Sequence, residues 1–276
     1  MFKIKGRLYD FSNPQIMGIL NFTPDSFNAA SRVGNEEIKD RIAKMLADGA
    51  DIVDIGGVST RPGSTPVSEA EEWERLRPAL ETIAKHFPNA VFSVDTFRSE
   101  IARRAVVDYG VSIVNDITAG MGDSKMYETV ARCKVPYIIM HGADNPQKLH
   151  SIDEPMDIEK IINFFAEKVN TLHSFGISDI VIDPGFGFSK TVAENYELFA
   201  NLERFRIFGC PLLLGISRKS MIYKYLDISV ERSLNATTAL NALALAKGAS
   251  ILRVHDVLEA VECAKVYEAA WQNNAK

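Results

Sequence analysis

The sequence predicts an α/β fold, a (β/α)8 TIM barrel with a short N-terminal hairpin capping the barrel bottom. Three observations carry that prediction. Eight short apolar runs each end in a polar cluster: 15–21 (QIMGILN), 51–57 (DIVDIGG), 90–96 (AVFSVDT), 112–116 (SIVND), 136–141 (PYIIMH), 179–185 (DIVIDPG), 211–217 (PLLLGIS) and 250–255 (SILRVH). Helical periodicity fills the stretches between them, and strands alternating with helices close into a parallel sheet. The length, 276 residues, suits one barrel with a large core. No linker, low-complexity tract or composition break interrupts it, so residues 1–276 are expected to form a single domain.

Each element has its own signal. Residues 1–12 (MFKIKGRLYDFS) alternate around Gly6, as a hairpin does. The first helix is expected over 36–48, capped by Asn35, with Ile38, Ile42, Met45 and Leu46 on one face and Gly49 as its stop. Ser68 and Glu71 have capping-box spacing ahead of a stripe through Leu76, Leu80 and Ile83. The third helix, 99–109, packs through Ile101, Ala105 and Val106 and ends at Gly110. A short fourth covers 123–133. The fifth, 157–175, ends at Gly176. Thr191 and Glu194 open the sixth, an Ala-rich seventh spans 231–247 after a short turn at 219–225, and Asp256 opens the last.

Composition narrows the function. A formal net charge of −5 with no basic run argues against a nucleic-acid surface. The three cysteines, Cys133, Cys210 and Cys263, are too few and too scattered for a disulfide framework or a zinc site. No apolar stretch reaches membrane-spanning length, and the N-terminus carries no long apolar run, so the expected location is the cytoplasm.

A barrel of this type places its active site at the C-terminal ends of the strands. There the chain offers Asn21, Asp95, Asn115, His141, Asp183, the run Ser217-Arg218-Lys219-Ser220, and Arg253 with His255. Asp183 closes a strongly apolar strand in DPGFGF. A carboxylate there accepts from two adjacent N–H donors, as on a cyclic guanidine edge, although Asp-Pro-Gly is equally a turn sequence. Asp95 and Asn115 end neighbouring strands and complete a hydrogen-bonding cup for a polar heterocycle; either alone would more often be a cap. Ser217–Ser220 leads into a helical turn whose free N–H groups suit an anion, with Lys219 adding charge. Arg253 and His255 lie two positions apart and share a strand face, fitting an anion grip. A salt bridge from Arg253 to a bottom-face carboxylate is the plain alternative, disfavoured by its place at the barrel top. His141 is a candidate acid or base, and at least as readily structural. No CxxC, HExxH, P-loop, dinucleotide fingerprint or Ser-His-Asp set is present. Metal signals are weak: the metal such a site would take is Mg2+, held mostly by phosphate oxygens and water, with the Asn21 carboxamide as a candidate protein ligand. Two long strand-to-helix loops, 21–34 and 56–67, are rich in Gly, Pro, Ser, Thr and Asn and are read as covers over the site.

The segments NFTPDSF (21–27), DIGGVSTRPGS (54–64), SVDT (93–96), NDI (115–117), MH (140–141), IDPGFGFSK (182–190), GISRKSMI (215–222) and ILRVHDV (251–257) together resemble dihydropteroate synthases, in that family's order. The resemblance implies synthesis of 7,8-dihydropteroate from 6-hydroxymethyl-7,8-dihydropterin diphosphate and p-aminobenzoate, with sulfonamides as competitors of the latter. It implies that Asn21 contacts Mg2+, Thr60 the diphosphate, and Asp95, Asn115 and Asp183 the pterin. Lys219 would touch the pterin and flank p-aminobenzoate, Ser220 would lie near its carboxylate, and Phe188 would wall its pocket. The stretch Arg253-Val254-His255 would grip the diphosphate. Lys219, Asp95 and Arg253 stand closest to the chemistry. A homodimer through the late helices is also implied. Val58 departs from the family, which often has Glu there, and the residues after His141 are less typical. A corrinoid-dependent pterin-binding methyltransferase is the alternative enzyme, and a catalytically silent pterin-binding barrel the alternative of another class. The apparent anion grip argues against both.

Overall fold

The computed structural model describes residues 1–22, 32–58, 67–142 and 155–271. Thr60 and most of both long loops, with the stretch beyond Gly142, lie outside the described residues. Ten strands and nine α-helices alternate along the described chain. The first two strands, β1 (Phe2–Ile4) and β2 (Arg7–Tyr9), form an antiparallel hairpin. Its two-residue turn, Lys5-Gly6, has both residues at positive φ, which the twist of a tight hairpin demands.

The other eight strands make one parallel sheet: β3 (Gln15–Asn21), β4 (Ile52–Gly56), β5 (Val91–Asp95), β6 (Ile113–Asp116), β7 (Tyr137–Met140), β8 (Ile180–Asp183), β9 (Leu213–Leu214) and β10 (Ile251–Val254). They pair in the order β8-β7-β6-β5-β4-β3-β10-β9. A parallel bridge between Ile182 and Leu212 joins the two ends and closes the barrel. The register is staggered, with Ser93 opposite Ile113 and Arg253 opposite Met17, as closure requires. All eight expected strands are present. The seventh is shorter than expected, because past Leu214 the chain turns at Ile216–Lys219 and Gly215 faces the barrel mouth.

The helices are α1 (Arg32–Ala47), α2 (Glu69–His86), α3 (Ser99–Tyr109), α4 (Met126–Cys133), α5 (Ile158–Ser174), α6 (Val192–Ala200), α7 (Ser220–Tyr223), α8 (Leu234–Ala246) and α9 (Val257–Trp271). Ser68 caps α2, Asp157 caps α5, and Thr191 with Glu194 forms a full capping box on α6. Gly110 ends α3 in the left-handed conformation. Three stretches differ from the sequence reading, one of them α4, expected from 123 and starting at Met126. Helix α1 starts at Arg32, so Asn35 lies inside it and is not its cap. The stretch 231–247 divides into a 3-10 turn, Glu231–Ser233, and α8.

Packing follows from strand alternation. Outward-facing side chains such as Val53, Ile55, Val94 and Ile139 meet Ile42, Leu76, Leu80, Ile101 and Phe165 of the helices in one large core. Inward-facing side chains at the strand starts form a second cluster: Met17, Ile52, Val91, Ile113, Ile138, Val181, Leu213 and Ile251. Phe2 and Ile4 of the hairpin pack onto it, so the hairpin plugs the bottom. Lys5 fastens the plug, donating to the carbonyls of Pro88 and Ala90 at 2.8 Å each. Among the described residues no helix is long and apolar enough to cross a membrane.

Candidate active site

Two residues above the apolar plug, the same barrel face becomes polar. The positions are Ile19, Asp54, Ser93, Asn115, Met140, Asp183, Gly215 and Arg253. Asp54 is fully buried and sits at the centre of this layer. Ser93 Oγ donates to its Oδ1, Asn115 Nδ2 to its Oδ2 at 3.1 Å, and Arg253 Nε to the same oxygen at 2.7 Å. Arg253 Nη2 also reaches Asp95 Oδ2 at 2.7 Å. One guanidinium thus joins two carboxylates from β4 and β5. Burial opposes its charge, but Asp54 and Asp95 outweigh burial and hold its pKa above the ordinary value. Burial pushes the Asp95 carboxyl up to about 7, even against Arg253.

Asp183 ends β8 and is buried at 8 % exposure. Its Oδ1 accepts from the Gly185 N–H at 2.8 Å, while its Oδ2 lies beside Gly215, 3.9 Å from where a Cβ would stand. Gly215 itself lines the cavity, so this oxygen stands at the cavity's edge. Burial raises the Asp183 pKa, with Lys219 opposing. Lys219, after β9, donates its Nζ to the Phe186 carbonyl and stands 4.2 Å over the Phe188 ring. Burial brings its ammonium down to about 7, with Asp183 pulling the other way. Phe188 belongs to a small apolar cluster with Ile117 and Met140, with Phe97 alongside.

The run 217–220 divides its labour. Arg218 is in the left-handed region and forms a bidentate ion pair with Asp256 at 2.8 and 2.9 Å, with further bonds to the carbonyls of Val230 and Glu231. It is an anchor to the start of α9. Ser217 Oγ accepts from the His255 N–H and meets His255 Nδ1, both at 3.2 Å, so it orients that ring at the exposed rim. Ser220 begins α7, a helix of only four residues. A cavity of about 590 Å³ opens above the polar layer, lined by Asn21, Phe188, Lys219, Ser220, Arg253 and His255 among others.

The structure thus brings together Asn21, Asp95, Asn115, Asp183, Phe188, Lys219, Ser220, Arg253 and His255 at one end of the barrel. The structure bears on three sequence readings. Val254 points outward, fully buried in the core beneath the helices, so its side chain cannot touch a ligand in the barrel; strand alternation sends it opposite to Arg253 and His255. Arg253 is ion-paired, though to Asp54 and Asp95 at the mouth and not to a bottom-face carboxylate. His141 takes the structural role: its ring packs edge-on to Phe164 at 5.0 Å, and burial with Lys190 nearby lowers its pKa to about 3. Asp116 is also structural, accepting from Tyr137 Oη at 2.6 Å and from Thr118 and Gly120.

Sequence reasoning missed Asp54 as a site residue. Its signal was an acid within an otherwise apolar strand, two positions below Gly56 and hence inward-facing. Gly56 itself has no room for a side chain, since a Cβ would stand 2.9 Å from Asn21 Oδ1 and 3.5 Å from Asp95 Cβ. Among the described residues no group of three or more His, Cys, Asp or Glu could hold a metal. Asn21, half-buried at the end of β3, offers one carboxamide oxygen. A lone oxygen donor of this kind fits Mg2+, which takes few protein ligands when phosphate and water supply the rest.

Comparison with known proteins agrees with this geometry. The family described as "Pterin binding enzyme" matches residues 17–255. The dihydropteroate synthase of Clostridium beijerinckii is 39 % identical over 255 residues, covering 91 % of this chain and 92 % of that protein. The crystal structure of Yersinia pestis dihydropteroate synthase with a sulfonamide drug complex superposes with a TM-score of 0.87 at 36 % identity, covering 99 % and 98 % of the two chains. That of Xanthomonas albilineans dihydropteroate synthase with 4-aminobenzoic acid gives 0.87 at 34 % identity, covering 98 % and 97 %. With a barrel mouth that joins a buried acid cup to an aromatic-lined lysine, and with likeness along nearly its whole length, this chain belongs to the pterin-binding enzymes, in the dihydropteroate synthase family.

Proposed function

We propose that the barrel mouth condenses 6-hydroxymethyl-7,8-dihydropterin diphosphate with p-aminobenzoate, giving 7,8-dihydropteroate and diphosphate. The observation that carries this reading is the pair formed by Asp183 and Lys219. Asp183 holds one carboxylate oxygen beside Gly215, which lines the cavity, and Lys219, whose charge acts on Asp183, stands over the Phe188 ring. A pterin presents a guanidine-like edge that Asp183 accepts, with Asn115 and Asp95 beside it. The neighbouring space between Phe188, Lys219 and Ser220 suits a flat aniline carboxylate.

The chemistry asks for no protein nucleophile. The C–O bond to diphosphate breaks and its electron pair leaves with the diphosphate. The electron-rich dihydropterin stabilises the positive charge at its exocyclic carbon. The amine of p-aminobenzoate attacks that carbon, the C–N bond forms, and the nitrogen sheds a proton. The protein positions the two rings and excludes water. His255, oriented by Ser217, faces the leaving group at the rim, with the charge of Arg253 behind it. Asn21 would hold Mg2+, and that ion, when bound, neutralises charge on the departing diphosphate. Thr60 would contact the diphosphate from the second loop. The exposed apolar side chains Leu243 of α8 with Leu258 and Val266 of α9 support a homodimer through these helices, which light scattering would test. The decisive test of the reaction is diphosphate release with and without p-aminobenzoate. Release that depends on p-aminobenzoate, with dihydropteroate formed in equal amount, supports the assignment; no dihydropteroate from either mixture sinks it.

A further inference from the structure

The segment between Asp183 and α6 carries three residues at positive φ in alternation, Gly185, Gly187 and Ser189. A backbone folded this way has its own amides out of register with any helix or strand, so side chains must hold it. Two buried polar side chains do so. Lys190, at 9 % exposure, uses its ammonium as a three-way clamp: Nζ donates to the Gly185 carbonyl at 3.0 Å and the Phe188 carbonyl at 3.2 Å, and meets His141 Nδ1 at 3.4 Å. His141, kept neutral by burial, is able to accept. Asn195 of α6, at 1 % exposure, accepts from the Gly187 N–H at 2.7 Å and donates to the carbonyls of Lys190 and Thr191 at 3.2 and 2.7 Å.

What this clamped loop presents is the seat of Lys219. The Phe186 carbonyl takes the Lys219 ammonium, and the Phe188 ring lies beneath it. The Lys219 stem packs on Gly187, where a Cβ would come within 2.9 Å of its Cδ. Gly185 passes so close to strand β7 that a Cβ there would overlap the His141 carbonyl. Neither Lys190 nor Asn195 is among the side chains lining the cavity. The groups they hold, the Gly185 and Phe188 carbonyls and the Gly187 N–H, flank the Phe186 carbonyl that takes the Lys219 ammonium and carry the Phe188 ring beneath it.

We propose that Lys190 and Asn195 are positioning residues for the p-aminobenzoate half of the reaction. They set the spacing between the Phe188 ring and the Lys219 stem without touching either substrate. This rests on the placement of p-aminobenzoate between Phe188 and Lys219, so the experiment must separate the two claims.

Steady-state kinetics and pterin calorimetry on Lys190→Met, Asn195→Ala and Phe188→Ala do so. Methionine keeps the bulk of Lys190 but drops the donors. Misplacing a reacting group by a fraction of an ångström to one ångström costs up to about 100-fold. Lys190→Met is therefore expected to raise KM for p-aminobenzoate or lower kcat per pterin-titratable site, by roughly 10–100-fold in kcat/KM. Pterin affinity should fall less than KM for p-aminobenzoate rises, because β8 and β6 carry Asp183 and Asn115 and only the Gly185 N–H ties Asp183 to this loop. Asn195→Ala should give the same pattern in weaker form, and it replaces Lys190→Met as the readout if that variant fails to fold. A purely structural role predicts instead fewer titratable sites with unchanged KM and unchanged kcat per site, and that result overturns the proposal. So does an equal loss of pterin and p-aminobenzoate affinity. If Phe188→Ala raises KM for p-aminobenzoate while the Lys190 and Asn195 variants do not, the clamp is wrong and the pocket stands. If Phe188→Ala leaves KM unchanged, the pocket itself is misplaced and the clamp falls with it.

Discussion

The two ends of this barrel are built from the same strands, and they differ by a step of two residues. At the bottom the inward face is Met17, Ile52, Val91, Ile113, Ile138, Val181, Leu213 and Ile251, apolar throughout and packed against Phe2 and Ile4. One pleat higher it includes Asp54, Ser93, Asn115, Asp183 and Arg253. The lower layer contributes burial and asks for nothing else. The upper layer puts charges into a low-dielectric interior, where each must find a partner or shift its protonation. Asp54, Arg253 and Asp95 find one another, whereas among the described residues Asp183 Oδ2 has no hydrogen-bond partner and only the charge of Lys219 nearby. The difference teaches where to look for the ligand: the carboxylate the protein does not satisfy is the one that recognises.

Removing the cation of the upper layer should have the largest effect. Arg253→Ala leaves Asp54 and Asp95 facing each other in a buried site, and breaking such a pair costs about 3–5 kcal/mol. Denaturant unfolding should show that loss together with abolished turnover. If stability is unchanged, the two carboxylates are not held by Arg253 in solution.

In the lower layer, Ile138→Ala should cost about 2–5 kcal/mol through lost burial and a residual cavity. Its kcat/KM, measured below the unfolding temperature, should match the parent. A raised KM for either substrate would mean that the plug and the mouth are mechanically coupled, and the contrast between the two ends would fail.

A pH-dependent effect, small in its part near neutral pH, separates structure from catalysis at His141. The folded pKa of His141, about 3, lies below the ordinary 6.5, so the unfolded chain takes up the proton first. Stability attributable to His141 is complete above pH 6.5 and falls by about 1.4 kcal/mol per pH unit as pH drops from 6.5 towards 3. His141→Gln should flatten that part of the acid-unfolding curve while lowering stability somewhat at neutral pH. An unchanged slope would show that the histidine is not neutral in the fold.

Much of this architecture is legible in the sequence, because barrel strands and their intervening helices carry strong local signals. The runs at 15–21 and 179–185 announce their strands, and Ser68, Asp157 and Thr191 announce their helix starts. The positions of Asp95, Asn115, Asp183 and Lys219 at strand ends follow from the same pattern. The partners of Arg253 do not. Asp54 is 199 residues away, and only closure of the barrel brings β4 and β10 to either side of β3. The outward direction of Val254 was available from simple alternation, since Arg253 and His255 share the opposite face. Lys190 and Asn195 left no signal, because their partners are backbone atoms of a loop whose shape depends on three positive φ values.

The most direct test of the account is calorimetric titration of a pterin ligand, without diphosphate, into the parent and into Asp183→Asn. The Oδ2 of Asp183 is assigned to the N–H edge of the pterin, and an amide there loses the charge and one acceptor. Charge-assisted hydrogen bonds contribute about 1.5–3 kcal/mol, so affinity should fall roughly 10–200-fold with the thermal unfolding midpoint nearly unchanged. Unchanged pterin affinity in a folded Asp183→Asn protein would contradict the claim that the unsatisfied carboxylate of the upper layer is the recognition group.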